Sequence, residues 1–194
     1  MKEVANILII GDSISMGYTP FVKKILQERA KIFRPHTNCE STQKGVLKID
    51  QWVGDKKYKV IHFNFGLHDL KHVDAVTKQP SVKPEDPIMT DLKDYEANLN
   101  TIVSKLKATG AKLIFATTTP VPQHSEPLRE PENPEKYNVV AQKVMQEQGI
   151  EVNDLYHLVM PDFEKIQELD NVHFTRKGYR ILGEQVAAVI SKYT

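Results

Sequence analysis

Cysteine is almost missing from this chain. Cys39 is the single one, so an internal disulfide is impossible and a thiolate metal cluster is excluded. There is no excess of charge of either sign, with 26 Lys+Arg against 25 Asp+Glu and a formal charge of +1. That balance gives no reason to expect a nucleic-acid partner, and pairs such as Lys23-Lys24 and Lys56-Lys57 read as solvated surface. No hydrophobic run is long enough for a bilayer. The stretch Val4–Ile10 is interrupted by Asn6, ended by Gly11-Asp12 and followed by no small-residue cleavage site, so it reads as a buried strand. A membrane partner is therefore not expected. The chain reads as cytoplasmic, with a secreted or periplasmic protein as the alternative if an export segment has been removed. Neither a Walker A sequence nor a Gly-x-Gly-x-x-Gly fingerprint occurs, and no cofactor is expected.

What is present is an ordinary globular composition, 40% hydrophobic and 26% charged over 194 residues, which fits one domain spanning 1–194. Val4–Ile10, Val60–Phe65 and Lys112–Thr117 are continuous apolar runs without clean alternation, as interior strands require; Lys31–Arg34 and Gly149–Asn153 are weaker strand candidates. Between them lie amphipathic helical patterns. Phe21, Val22, Ile25 and Leu26 follow Pro20, which fits a first-turn position. Leu92, Tyr95, Leu99, Ile102, Val103 and Leu106 trace a second stripe ended by Gly110, and Tyr179, Leu182, Val186 and Val189 a third. Strands alternating with such helices predict an α/β fold, a three-layer sandwich around about five parallel strands. His72–Thr90, with three prolines, and Pro120–Pro134, with five, fit neither element type and leave from one sheet edge, as a rim or as rigid surface loops.

Ligands of such sheets bind beyond the carboxyl ends of the strands. Two polar clusters meet there, Gly11-Asp12-Ser13 after the first strand and Gly66-Leu67-His68-Asp69 after the third. A serine at a strand-to-helix turn can be exposed with its own N–H free to face an anion, but it is a weak nucleophile without a neighbouring base. Taken alone, the tripeptide is equally an N-cap or a phosphate-binding turn. Near the other end, Asp170 and His173 stand three residues apart, where a turn brings a carboxylate to one ring nitrogen and leaves the other free. Thr175 is a candidate cap for the final helix.

These blocks, Gly11-Asp12-Ser13-Ile14-Ser15, Gly66-Leu67-His68-Asp69 and Asp170-Asn171-Val172-His173, resemble the SGNH, or GDSL-type, serine hydrolases over essentially the whole chain. The resemblance implies a flavodoxin-like three-layer sandwich with a five-stranded parallel sheet. It also implies Ser13 as nucleophile, His173 as general base and acid, and Asp170 as the orienting carboxylate. Two positions depart from the family pattern. His68 stands where an asparagine side chain usually helps form the oxyanion hole. Glu40 occupies the place often held by a second-block glycine whose N–H also serves the oxyanion. Gly45 is a competing glycine, though its setting suits the start of a Val46–Trp52 helix. Ser13, Glu40 and His68 are thus the expected oxyanion donors, with Ser13 N–H the firmest. Asp12 and Asp69 are expected to brace their loops rather than touch substrate, Gly66 belongs to the third block, and Asn64 can tie a strand end to a neighbour.

His62, His68, His72 and Asp69 invite a metal reading, but only His68 and His72 have the four-residue interval of a zinc-binding helix, and no metal is expected. Tyr58, Phe63 and Phe65 read as core or sheet aromatics, and Arg129 as a loop arginine that could meet an acidic substrate. The expected function is hydrolysis of small acyl esters, acetylated saccharides included, through an acyl-serine intermediate. An acyltransferase or thioesterase with the same nucleophile, or an inactive carbohydrate- or ester-binding protein, are the alternatives.

Overall fold

Every strand pairing in the sheet is parallel. In the computed structural model, which describes residues 4–194, the strands are β1 (Ala5–Ile10), β2 (Ala30–Phe33), β3 (Val60–Phe63), β4 (Lys112–Ala116) and β5 (Glu151–Asn153). They lie in the order β2-β1-β3-β4-β5. The chain therefore winds outward in one direction after β1 and in the other after β3, which makes the β1/β3 boundary the switch point where a crevice opens. In the register, Ile10 lies opposite Phe63. The two strands end flush, so the segments following them leave side by side on one edge.

The pleat divides the core in two. Ile7 and Ile9 of β1 face one cluster, and Leu8 and Ile10 face the other. The first is covered by α1 (Ser13–Leu26), α5 (Leu155–Val159), α6 (Phe163–Ile166) and α7 (Arg176–Ser191); the second by α2 (Thr42–Val53), α3 (Leu92–Lys107) and α4 (Asn133–Glu147). The three-layer α/β/α arrangement follows. Gly45 lies inside α2, where a Cβ would come within 2.7 Å of Ile102 and 2.9 Å of Phe65, so this glycine lets α2 approach α3 and the sheet closely. Among the described residues no helix is long and apolar enough to cross a membrane.

Some boundaries moved. Pro20 is not a first-turn residue but sits inside α1, which starts seven residues earlier at Ser13. Its ring cannot donate to the carbonyl of Met16, and the side chain lies on the exposed face. The capping carboxylate of Asp12 sets the helix start instead. The short α5 and α6 had no pattern long enough to read as helices. The proline-rich stretches are irregular, joined internally by single antiparallel bridges at His72–Ile88 and Val73–Pro80. They are strapped together where His72 N–H donates to Leu128 O at 2.9 Å and His72 Nε2 meets Glu130 Oε1 at 2.5 Å.

Candidate active site

The nucleophile turn is built locally. Asp12 is the N-cap of α1, its Oδ1 accepting from Ile14 N–H at 2.9 Å, and Ser15 Oγ donates to Asp12 O at 2.6 Å. Ser13 then opens the helix half-buried, and among the described residues its own N–H has no acceptor. Arg34 adds a brace, donating to Gly11 O at 3.3 Å and Ser15 Oγ at 3.1 Å. Burial pushes the Asp12 carboxyl up to about 6, against hydrogen bonds from Ile14 and Ser15 and the nearby Arg129 and Arg34 cations.

Ser13 Oγ lies 2.8 Å from His173 Nε2, a contact spanning 160 residues of sequence. The other side of the ring differs from the expected arrangement. His173 Nδ1 is 2.7 Å from Asn171 Oδ1, and the main-chain N–H of His173 donates to the same oxygen at 3.0 Å. Asp170, the expected orienting carboxylate, is exposed, and no hydrogen bond joins it to His173 among the described residues. The physical reason is local. Asp170 takes a left-handed backbone (φ 53°), while Asn171 bonds the backbone two residues on, an Asx turn that delivers its side chain to the ring. The main-chain donor identifies the facing amide atom as oxygen. An oxygen can only accept, so the facing Nδ1 carries a proton, and in the neutral ring the nitrogen turned toward the serine hydroxyl is the bare one.

The third-block loop is anchored from below. Gly66 has φ 150°, and a Cβ there would lie 2.0 Å from Thr118 Oγ1. Asp69 is fully buried and accepts from Thr42 N–H at 3.0 Å and Thr42 Oγ1 at 2.5 Å, tying the loop to the first turn of α2. Among the described residues no cation lies at bonding distance, and burial pushes its carboxyl up to about 7. Asn64 donates to Ala116 O at 2.8 Å across the strand ends. Arg129, expected as a loop arginine that could meet an acidic substrate, is 3% exposed and donates to Leu67 O at 2.8 Å and Pro127 O at 3.0 Å. It fastens the second proline-rich stretch to the third block.

The expected oxyanion donors fare differently. Ser13 N–H is free. Glu40 does hold the glycine-like backbone, with φ 55°, but its N–H donates to Asn38 Oδ1 at 2.9 Å instead of facing the serine unpartnered. Its carboxylate is drawn off by Lys44 Nζ at 2.6 Å. His68 is half-buried, with Nδ1 3.5 Å from Lys71 Nζ and no protein partner on Nε2 among the described residues. Burial, reinforced by Lys71, Arg129, Lys44 and His173, pushes its imidazole down to about 3 and so keeps it neutral.

The other histidines scatter. His62 is buried in the sheet beside Asn153 Nδ2 at 3.2 Å, and His72 belongs to the strap. Among the described residues no group of three or more His, Cys, Asp or Glu side chains is placed to hold a metal ion. A groove of about 1130 Å³ between α1 and α7 is lined by residues such as Phe21, Ile25, Arg176 and Arg180 and includes neither Ser13 nor His173. Sequence reading missed Asn171, Lys71, Arg34 and Asn38. Only Asn171 carried a usable signal, because Asp-Asn-x-His offers two acceptors upstream of one ring.

A five-stranded parallel sheet with a serine after its first strand and a histidine before its last helix defines the class of α/β acyl-hydrolase folds. The chain belongs to the GDSL-like lipase/acylhydrolase family, whose model matches residues 9–181. Similar solved structures include the lipase/acylhydrolase from Enterococcus faecalis, with 20% identity, TM-score 0.80, and 97% of this chain and 96% of that one covered. The acetyl xylan esterase AlAXEase has 16% identity and TM-score 0.77 over 95% of this chain and 99% of that one. Axe2, an acetylxylan esterase from Geobacillus stearothermophilus, has 18% identity and TM-score 0.75 over 98% and 96%. No curated protein matches the sequence.

Proposed function

We propose that the protein is a carboxylic-ester hydrolase acting on small acyl esters, acetylated saccharides among them, through an acyl-Ser13 intermediate. The observation that carries this reading is the 2.8 Å contact between Ser13 Oγ and Nε2 of His173. In the proposed cycle, Ser13 Oγ attacks the ester carbonyl while its proton passes to Nε2. The tetrahedral oxyanion is met by Ser13 N–H and the Nε2–H of His68. Its collapse breaks the bond to the alkoxide, which takes the proton from Nε2 as it leaves. Water then attacks the acyl-serine with His173 again as base, and the carboxylic acid departs.

In this reading Asn171 replaces a carboxylate as the group that orients His173. A neutral amide fixes the tautomer and the ring plane but offers no negative charge to a developing imidazolium, as in the Cys-His-Asn variants of the triad. Glu40 N–H joins the oxyanion hole only if Asn38 releases it. The inclusion of acetylated saccharides is supported by two structural neighbours, AlAXEase and Axe2, both acetyl xylan esterases.

The test is direct. Acetylated xylo-oligosaccharides and a chromogenic acetate ester are mixed with enzyme, quenched with acid and examined by peptide mass spectrometry. The proposal predicts release of acetate and an acetyl group on the Ser13 peptide. Turnover of no acyl ester, with no acylated Ser13, contradicts it.

A further inference from the structure

An asparagine in the third block would donate an N–H whatever its surroundings. A histidine would not. A neutral imidazole carries one proton on either of two nitrogens, so His68 can serve an oxyanion from Nε2 only in one tautomer. Something must select it.

The group facing the other nitrogen is Lys71 Nζ, 3.5 Å from His68 Nδ1. That is long for a hydrogen bond but close for a charge. An ammonium has three donors and no acceptor, so the nitrogen turned toward it is the bare one, and the ring's proton lies on Nε2. Lys71 is itself half-buried and held in a field of named charges. Burial, and after it Arg129, pushes the Lys71 ammonium down from its usual value, while Glu40 and Asp69 pull it back up. The cations acting on His68 are Lys71, Arg129 and Lys44, and all of them discourage a second proton on the ring. An adjacent positive charge also polarises the imidazole so that Nε2–H becomes the stronger donor.

We propose that Lys71 is a positioning residue for the ester hydrolysis above, its ammonium fixing His68 as the Nε2–H tautomer that donates to the substrate oxyanion. The inference rests on the proposed function for its consequence but not for its geometry, because the tautomer exists in the resting protein. It also explains how this chain uses histidine at a position where the wrong tautomer would aim a lone pair at a negative oxygen.

The experiment has two arms on the full chain. First, ¹⁵N NMR of histidine-labelled protein reads the protonation of each His68 nitrogen without substrate. Wild type is expected to show Nε2 protonated and Nδ1 bare. Lys71→Met is expected to populate both tautomers, and Lys71→Arg to keep the wild-type pattern. Second, Lys71→Met is expected to lower kcat/KM for acyl esters by about tenfold through kcat, and Lys71→Arg to restore most of it. In a His68→Asn background the same Lys71→Met change is expected to have no effect, because an amide needs no tautomer selected. A resting His68 protonated on Nδ1, or an equal loss from Lys71→Met in both backgrounds, overturns the inference. A wild-type chain without esterase activity but with the Nε2–H pattern leaves Lys71 its tautomer role and removes the ester reaction instead.

Discussion

Asn171 Oδ1 receives two hydrogen bonds from a single residue, His173, one from the ring at 2.7 Å and one from the main chain at 3.0 Å. The pair makes the orientation of the general base a property of one Asx turn. Asn171→Ala should therefore cost about 100-fold or more in kcat with the fold intact, because the ring loses both its tautomer and its plane. Asp170→Asn should change kcat by less than about threefold. Parallel kinetics with circular dichroism decide it, and the reverse ranking would return Asp170 to the relay.

Asn171→Asp makes a finer test. A carboxylate at the same place stabilises the imidazolium, so the acid limb of the kcat/KM profile should move to higher pH relative to wild type. An unshifted limb in an active variant would mean that residue 171 does not contact the ring.

Asp69 has a consequence for stability rather than rate. Its carboxyl is raised from 3.8 to about 7 by burial, so the folded protein holds this proton more tightly than the unfolded chain does. Stability contributed by the neutral form is then present at low pH and lost as pH rises from 3.8 to about 7, by at most about 4 kcal/mol. Asp69→Asn cannot ionise. The difference in Tm between variant and wild type should shift in the variant's favour between pH 5 and pH 8, and a difference independent of pH contradicts the assignment.

At Gly66 the constraint is steric. With φ 150° and Thr118 Oγ1 only 2.0 Å from an added Cβ, Gly66→Ala should destabilise by about 3 kcal/mol, roughly 10 °C in Tm. Thr118→Ala in the same chain should recover part of that loss, leaving the backbone strain. Thermal unfolding of the single and double variants reads both.

The centre of the sheet was legible because β1, β3 and β4 are largely buried on both faces. Val4–Ile10 overran the observed strand by one residue at its start, and Val60–Phe65 and Lys112–Thr117 by two and one at their ends, where polar turn chemistry and not hydrophobicity sets the stop. Ser13 and His173 were legible as motif residues, and the flush ends of β1 and β3 explain why the Gly11-Asp12-Ser13 and Gly66-Leu67-His68-Asp69 blocks meet. Asp170 and Asn171 could not be ranked from spacing, since the choice depends on a left-handed backbone at one and an Asx turn at the other. Lys71 and Arg129 were illegible for another reason. Each acts across a loop contact, at His68 and at Leu67 O, that no periodicity encodes.

The measurement that bears most directly on the whole account is stoichiometric labelling with a serine-directed phosphonate, followed by intact mass and peptide mapping. The account predicts one adduct per chain, located on Ser13, with esterase activity lost in proportion, and neither adduct nor activity in Ser13→Ala. An adduct on another serine, together with ester turnover in a folded Ser13→Ala protein, would contradict it.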